Sequence, residues 1–150
     1  MFTHSVFDIA YVGNYTKDTI VTPEGTSQVD GGAIYYATHA GISLGFKVAV
    51  VTHLAQEDYN RVICELAGLG ATCIVAITPH STCLRLEYPT ANMDVRNLKV
   101  TATAGVISVH EVDGFQAQAA VIACLRPGSS PAGPAGLSWL VWQRPISTAP

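Results

Sequence analysis

The sequence predicts an α/β fold built from a partial parallel sheet, flanking helices and a small separate β-layer. Apolar, β-forming segments alternate with segments of helical period, which is typical of βαβ units. Other segments alternate polar and apolar residues, as half-exposed antiparallel strands do. The chain has 150 residues, of which 49% are hydrophobic and 13% charged. This length and composition support one folded core and exclude intrinsic disorder.

The predicted elements follow one another in a regular order. Apolar segments predict buried strands over residues 5–13, 47–52, 71–77 and 105–110. Segments of helical spacing predict helices over residues 33–44, 57–69 and 114–125. Glycines at positions 45 and 70 are expected to end the first two helices. Alternating segments predict the β-layer over residues 14–22, 26–29, 81–88 and 94–101.

The composition changes abruptly after Cys124. Five of the eight prolines lie beyond this residue, and no acidic residue follows Asp113. Sequence rich in Pro, Gly, Ser and Ala has no helical or strand period and too little apolar content to fold alone. The sequence therefore predicts one folded unit over residues 1–123 and a disordered tail over residues 124–150.

Charge and cysteine content exclude several functional classes. The net charge is −3 and no cluster of Lys or Arg occurs, which argues against nucleic-acid binding. No apolar run approaches the roughly 18 residues of a membrane span, and no basic leader precedes the first strand, so we expect a soluble, cytoplasmic protein. The cysteines form no C-x-x-C pair and the histidines no H-x-x-x-H pair, so neither a metal site nor a disulfide framework is expected.

Three short motifs resemble catalytic signatures but lack their structural context. Gly41-Ile-Ser43-Leu-Gly45 matches the hydrolase elbow G-x-S-x-G, yet a helix leads into it and a strand leaves, the reverse of that motif. A serine hydrolase using Ser43 is therefore the weakest alternative. Gly68-Leu-Gly70 lacks the third glycine of a dinucleotide fingerprint, and no P-loop spacing occurs.

Asp18 and the pair Gly31-Gly32 are better candidates for ligand binding. Two glycines at a helix start let a ligand approach free backbone N–H groups with no Cβ in the way. A carboxylate accepts hydrogen bonds from vicinal sugar hydroxyls. His53 ends a predicted strand, where α/β proteins place ligand-binding groups, but the acidic residues that follow it also suit a helix start.

Taken together, these segments resemble the amino-terminal half of the ribokinase-like, or PfkB, carbohydrate kinase family. The resemblance covers about residues 6–123 and rests on motifs in a fixed order. They are Asp8-Ile-Ala-Tyr-Val-Gly13, Asp18, Gly31-Gly32-Ala33, Val50-Val-Thr-His53 and Leu66-Ala-Gly-Leu-Gly70. The resemblance implies a Rossmann-like ribokinase fold with a small β-lid, formed by about residues 14–30 and 81–101. It also implies transfer of the ATP γ-phosphoryl group to a sugar, polyol or nucleoside.

The resemblance also assigns site residues. Asp18, Gly31 and Gly32 would bind substrate hydroxyls, and Glu111 would fall near the same site. Where sugar kinases commonly have Lys and Asn after the glycine pair, this chain has Ala33 and Tyr36. Tyr36 would give a bulkier, less polar contact, which disfavours ribose and is compatible with inositol.

ATP and Mg²⁺ are implied as cofactors, but the family's Gly-Ala-Gly-Asp signature, which carries the catalytic aspartate, has no match in this sequence. We therefore assign no catalytic residue and expect a truncated kinase that is inactive alone. The alternative is a non-catalytic module that binds a small polyol or dimerises through its lid strands. A truncated sheet would also expose an apolar face and favour self-association.

Overall fold

The computed structural model describes residues 6–112, 116–125 and 137–143. The strands are β1 (Val6–Gly13), β2 (Thr16–Thr22), β3 (Gly25–Gly31), β4 (Val48–Ala55), β5 (Thr72–Thr78), β6 (Thr82–Glu87), β7 (Asn97–Ala102), β8 (Gln116–Leu125) and β9 (Leu137–Gln143). The helices are α1 (Ala33–Ser43) and α2 (Gln56–Gly68). Within the described residues, one 3₁₀ turn covers Val109–Glu111. The expected α/β architecture is confirmed.

The strands form two sheets. The main sheet has the order β5-β4-β1-β8-β9, in which neighbouring strands are parallel except for the antiparallel pair β8–β9. The second sheet, here called the lid sheet, has four strands in the order β3-β2-β6-β7. Its outer pairs β2–β3 and β6–β7 are antiparallel, and its central pair β2–β6 is parallel.

Both helices pack on the main sheet. Their buried side chains Ile34, Val62 and Leu66 join one core with strand residues of β1 and β4. A Cβ at Gly41 would lie 2.8 Å from the Tyr11 hydroxyl, so the small residue is what lets α1 approach the sheet this closely. Close packing of α1 fixes where its first turn meets the lid sheet.

Two expectations from the sequence are wrong. Residues 114–125 are not a helix, because β8 occupies Gln116–Leu125 and pairs with β1. Its alanines favour a helix intrinsically, but Ala117 and Ala120 are the small side chains that fit against the buried Phe7. Tertiary packing therefore overrides the local propensity.

The second error concerns residues 105–110, which form no strand. Side chains hydrogen-bond the backbone where this segment begins. Thr82 Oγ1 accepts from Ala104 N, just before the segment, at 3.1 Å, and Asn14 Nδ2 donates to the carbonyl oxygen of Gly105 at 2.8 Å. Gly105 also has a φ of 85°, outside the extended region. These contacts take the place of a strand ladder.

The predicted disordered tail over residues 124–150 is corrected in part. Strand β8 extends through Leu125, and Leu137–Gln143 form strand β9 along it. Residues 126–136 and 144–150 lie outside the described residues. The boundary of the folded unit at residue 123 stays a prediction.

Exposed large apolar side chains occur at the amino-terminal end of the main sheet and around β7. The first group is Val6, Leu44, Phe46 and Leu69, and the second is Met93, Val95, Leu98 and Val100. Self-association through an apolar face stays a prediction.

We expect Ser81→Ala to lower the free energy of unfolding by about 1–3 kcal/mol. The buried Ser81 hydroxyl donates to Asp58 Oδ2 at 2.8 Å and accepts from Ala55 N at 2.9 Å. Its loss leaves both groups short of a partner. Urea unfolding measures the change. Ser43→Ala is the control, because the exposed Ser43 hydroxyl donates only to the His39 carbonyl, and its effect should stay within about 0.5 kcal/mol. Equal effects of the two substitutions would contradict the prediction.

Candidate functional site

Five residues at the junction of β2, β3 and α1 form a cluster, here called the cradle: Asn14, Thr16, Asp18, Gly31 and Gly32. The β2–β3 register places Thr16 opposite Gly31. Because strand side chains alternate between faces, Asp18 lies on the same face of β2 as Thr16. The structure thus brings together three of the residues that the sequence predicted, Asp18, Gly31 and Gly32.

The two glycines are required by the closeness of their neighbours. A Cβ at Gly31 would overlap Asp18 Oδ2 and lie 3.0 Å from Thr16 Oγ1. Gly32 has φ 90° and ψ 150°, a region that essentially only glycine occupies. A Cβ there would lie 2.9 Å from the carbonyl oxygen of Asn14. The cradle is therefore lined by bare backbone on one side and by the β2 side chains on the other.

Three oxygen atoms of the cradle are buried without a hydrogen-bond partner: Asn14 Oδ1, Thr16 Oγ1 and Asp18 Oδ1. Thr16 is only 3% exposed. Buried polar atoms in folded proteins nearly always have a partner, so three such atoms in one cluster indicate a place for a ligand or for ordered water. The sequence does not single out Asn14 and Thr16. Their spacing of two residues from each other and from Asp18 is the one signal that places all three on the same face.

The Asp18 carboxyl is held in an unfavourable environment for its charge. Burial raises the pKa of Asp18 above its ordinary value, and the neighbouring Asp30 carboxylate adds to this shift. The Thr16 hydroxyl is close enough to oppose the shift without meeting the geometry of a hydrogen bond. A hydrogen bond donated by a ligand hydroxyl would stabilise the charged form of Asp18.

Tyr36 lies on the first turn of α1, close to the cradle. Its hydroxyl donates to the carbonyl oxygen of Asp30 at 3.2 Å, and its ring packs edge-on against Tyr35. The residue is 59% exposed. A contact between Tyr36 and a substrate stays a prediction.

Glu111 is held by protein groups. Glu111 Oε1 lies 2.6 Å from His53 Nε2, and Glu111 Oε2 accepts from Ser108 N at 2.6 Å. These two contacts, led by the Ser108 N–H, lower the pKa of Glu111. His53 Nδ1 also lies 3.0 Å from the Ala104 carbonyl, so the ring donates to both oxygens only when it is protonated. The same segment reaches the cradle through the bond from Asn14 to Gly105.

A charged cleft of about 380 Å³ lies on the other face of the β2–β3 hairpin, lined by Lys17, Gln28, Val29, Asp30, Asp58 and Arg61. Its charges pair with one another. Lys17 Nζ lies 2.9 Å from Asp58 Oδ1, and Arg61 Nη1 lies 2.5 Å from Asp30 Oδ2. These ion pairs join the lid sheet to α2. We therefore treat the cleft as a structural contact and the cradle as the candidate binding site.

We expect Arg61→Met to destabilise the protein at pH 7 by about 1 kcal/mol or less, since the guanidinium is half exposed. Burial opposes the charge of Asp30, but the bonds from Arg61 and Tyr15 outweigh it and lower the pKa of Asp30. A lowered carboxyl pKa stabilises the fold above the unfolded value of about 4, and this contribution is lost as pH falls through the folded value.

The difference between wild type and Arg61→Met should therefore shrink as the pH falls below about 4. Urea unfolding at pH 7 and pH 3 measures this. Arg85→Met is the control, because Arg85 is about as exposed as Arg61 but its partner Glu87 is 46% exposed, against 24% for Asp30, so little change is expected at either pH. A difference for Arg61→Met that persists unchanged in acid would contradict the ion-pair assignment.

Ser43 does not form a nucleophile elbow. It is the last residue of α1, its hydroxyl donates to the His39 carbonyl at 2.8 Å, and the next strand is β4. This is the helix-to-strand order that the sequence predicted, opposite to that of a hydrolase. In the described part of the chain, no cluster of three or more His, Cys, Asp or Glu side chains could hold a metal ion. Within those same residues, no helix has the length and apolar content needed to cross a membrane.

The fold and the site define a class: a Rossmann-like α/β protein with a β-lid beside the first turn of its first helix. No protein-family model and no curated protein matches the chain. Solved structures do match. A pyrophosphate-dependent kinase in the ribokinase family, complexed with a pyrophosphate analogue and myo-inositol, has a TM-score of 0.67 and 20% identity. The match covers 76% of this chain and 39% of that one.

Two other kinase structures agree. The PfkB protein from Polaromonas sp. JS666 has a TM-score of 0.55 and 18% identity, over 71% of this chain and 40% of its own. A putative ribokinase from Agrobacterium tumefaciens has a TM-score of 0.52 and 15% identity, over 79% of this chain and 44% of its own. The chain therefore has a ribokinase fold, and it spans about two fifths of the length of the kinases it matches.

Proposed function

We propose that this chain supplies the acceptor-binding part of a ribokinase-type phosphotransferase, with a sugar, polyol or nucleoside as acceptor. The observation that carries the proposal is the half-buried Asp18 side chain, whose Oδ1 is buried without a partner and whose carboxylate lies against Gly31 of the cradle. A carboxylate in this setting is suited to accept hydrogen bonds from ligand hydroxyls.

The start of α1 supports the same assignment. Gly32, the N-cap residue, makes no side-chain hydrogen bond to the first turn. The Tyr35 and Tyr36 N–H groups donate to the Gly32 carbonyl, which leaves the N–H groups of Ala33 and Ile34 without a capping side chain. A ligand hydroxyl that donates to Asp18 could accept from this backbone at the same time. Carboxylate and backbone N–H groups would then fix a hydroxyl in one orientation, as a phosphoryl acceptor needs.

Titration calorimetry with myo-inositol, ribose and adenosine tests the proposal. We expect saturable binding of at least one compound. The variant Asp18→Asn should lose most of that affinity, whereas Asp94→Asn, which removes an exposed carboxylate of a loop, should keep it. Absence of binding by all three compounds would contradict the proposal.

The phosphoryl donor is the second part of the proposal. The resemblance implies ATP and Mg²⁺, while one matched structure is described as pyrophosphate-dependent. We propose that the isolated chain binds the acceptor without transferring a phosphoryl group, because the sequence has no match to the catalytic aspartate signature. Assays with ATP and with pyrophosphate, each with Mg²⁺ and the acceptor panel, test this. Detectable transfer with either donor would overturn it.

A non-catalytic polyol-binding or dimerising module is the alternative. Strands β3 and β7 are the edges of the lid sheet, and β7 carries the exposed Leu98 and Val100. Exposed edges pair readily with a second chain. Light scattering distinguishes a lid-mediated homodimer from a monomer. We also propose a cytoplasmic location, because Cys64, Cys73 and Cys83 are free thiols, as reducing compartments favour.

A further inference from the structure

We infer that His53 is a proton-dependent positioning residue, which holds residues 104–111 against the end of β4 only while both of its ring nitrogens carry a proton. His53 belongs to β4 and its side chain is 7% exposed, so little water reaches the ring to replace a lost contact. Residues 104–111, here called the return segment, lie between β7 of the lid sheet and β8 of the main sheet. This role is separate from the proposed function, and it can be tested without a ligand.

Both ring nitrogens of His53 face an oxygen that accepts hydrogen bonds and cannot donate them. Nδ1 lies 3.0 Å from the carbonyl oxygen of Ala104, and Nε2 lies 2.6 Å from Glu111 Oε1. The Ser108 N–H and, after it, the His53 contact lower the pKa of Glu111, so this carboxyl is a charged acceptor at neutral pH. A neutral imidazole has one N–H, whereas the imidazolium has two. A neutral ring therefore leaves one of the two oxygens without a donor.

The two contacts hold opposite ends of the return segment. Ala104 is its first residue and Glu111 is its last. Between them, the Gly105 carbonyl accepts from Asn14 Nδ2 at 2.8 Å. The ring of His53 thus fixes the segment that orients the Asn14 amide of the cradle. Loss of one ring proton releases one end of the segment and leaves the other end held.

Among the described residues, the carboxylate that contacts this ring is that of Glu111. His110 adjoins it in the same 3₁₀ turn. The acids at the start of α2, Glu57 and Asp58, lie 3.4 and 2.9 Å from Lys17 Nζ and pair with it. The neighbouring positions of the two adjacent strands are uncharged: Val12, Gly13 and Ala76. The charge of the ring is therefore balanced by one carboxylate.

The attachment of the return segment should have a pH window. On the acid side, the lowered pKa of Glu111 stabilises the fold above the unfolded value of about 4.3, and this contribution is lost as pH falls through the folded value. On the alkaline side, the ring loses the proton that serves its second contact. We expect the attachment to be stronger at pH 5.5 than at pH 9.

A double-mutant cycle of His53→Gln and Glu111→Gln, measured by urea unfolding at pH 5.5 and pH 9, tests this role. At pH 5.5 we expect the two substitutions to be coupled by about tenfold or more in the unfolding equilibrium constant, and at pH 9 by about threefold or less. His39→Gln is the matched control, because its ring lies 3.4 Å from Glu65 on α2 and should not be coupled to Glu111 at either pH. Coupling that is equal at the two pH values, or absent at both, would overturn the inference.

NMR of the wild-type protein covers the case in which a variant fails to fold. At pH 5.5 we expect both ring nitrogens of His53 to have imidazolium ¹⁵N shifts. As the pH rises to 9, the ¹³C signal of the Ala104 carbonyl or of the Glu111 carboxylate should move with the ring titration, because one of them loses its donor. If neither signal follows the ring, the proton does not hold the return segment and the inference is wrong.

Discussion

Replacing Asp18 with asparagine is expected to weaken polyol binding by about 10- to 100-fold and to leave the protein at least as stable as wild type at pH 7. The two effects have one cause. The Asp18 side chain is half-buried and its Oδ1 has no partner, so we expect the charge to cost stability in the free protein and to gain a partner when a ligand is bound.

The pH dependence of this effect has a definite direction. Burial raises the pKa of Asp18 in the folded state, so the group stabilises the fold below its unfolded value of about 4 and this contribution is lost as pH rises through the folded value. An asparagine is neutral throughout. The stability advantage of Asp18→Asn should therefore be largest near neutral pH and should disappear below about pH 4.

Urea unfolding at pH 7 and pH 3, with calorimetry on the same samples, measures both effects. Asp94→Asn is the matched control, since it removes the same charge from an exposed loop and should change neither quantity appreciably. A variant Asp18→Asn that binds myo-inositol as tightly as wild type would show that the carboxylate does not contact the ligand. A marked loss of stability at pH 7 would show that Asp18 has a structural partner.

Gly32→Ala is expected to lower the free energy of unfolding by about 2–5 kcal/mol and to abolish polyol binding. The residue has φ 90° and ψ 150°, which an alanine adopts only under strain. Its Cβ would also lie 2.9 Å from Asn14 O and 3.1 Å from Thr16 N. Both are backbone atoms, so the overlap can be relieved only by moving β2 away from α1.

Gly45→Ala separates the two contributions. Gly45 has a φ of 84°, but a Cβ there would meet nothing within 4 Å, so this substitution carries backbone strain alone. We expect it to cost about 1–2 kcal/mol and to leave binding unchanged. The excess loss in Gly32→Ala then reports the overlap in the cradle. Equal losses for the two substitutions would contradict the close approach of Asn14 and Gly32.

The sequence was sufficient where local and tertiary preferences agree. Strands β1 and β4 are apolar and buried in the main sheet, and α1 and α2 begin and end close to the predicted positions. Strand β8 failed because its alanine-rich composition favours a helix, while its place beside β1 requires small side chains. No local pattern reports which strand a segment will adjoin.

The candidate site could be predicted from the sequence only in part. Asp18, Gly31 and Gly32 stand out by residue type, and the structure brings them together. Asn14 and Thr16 are ordinary polar residues whose importance depends on which of their atoms lack partners, and that requires coordinates. The resemblance places Glu111 near the substrate site, and this stays a prediction. Its contact with His53, a residue distant in sequence, could not be read from the sequence.

The parallel pairing of β2 with β6 has a consequence for the order of folding. It joins Thr16 to Thr82, so the pair cannot form until the chain through α1, β4, α2 and β5 has been brought back. Contacts between residues so far apart pay their loop-closure entropy before they contribute energy and therefore form slowly. We therefore expect the β2–β3 hairpin to close early and the pair of β2 with β6, which flanks Asp18, to form later.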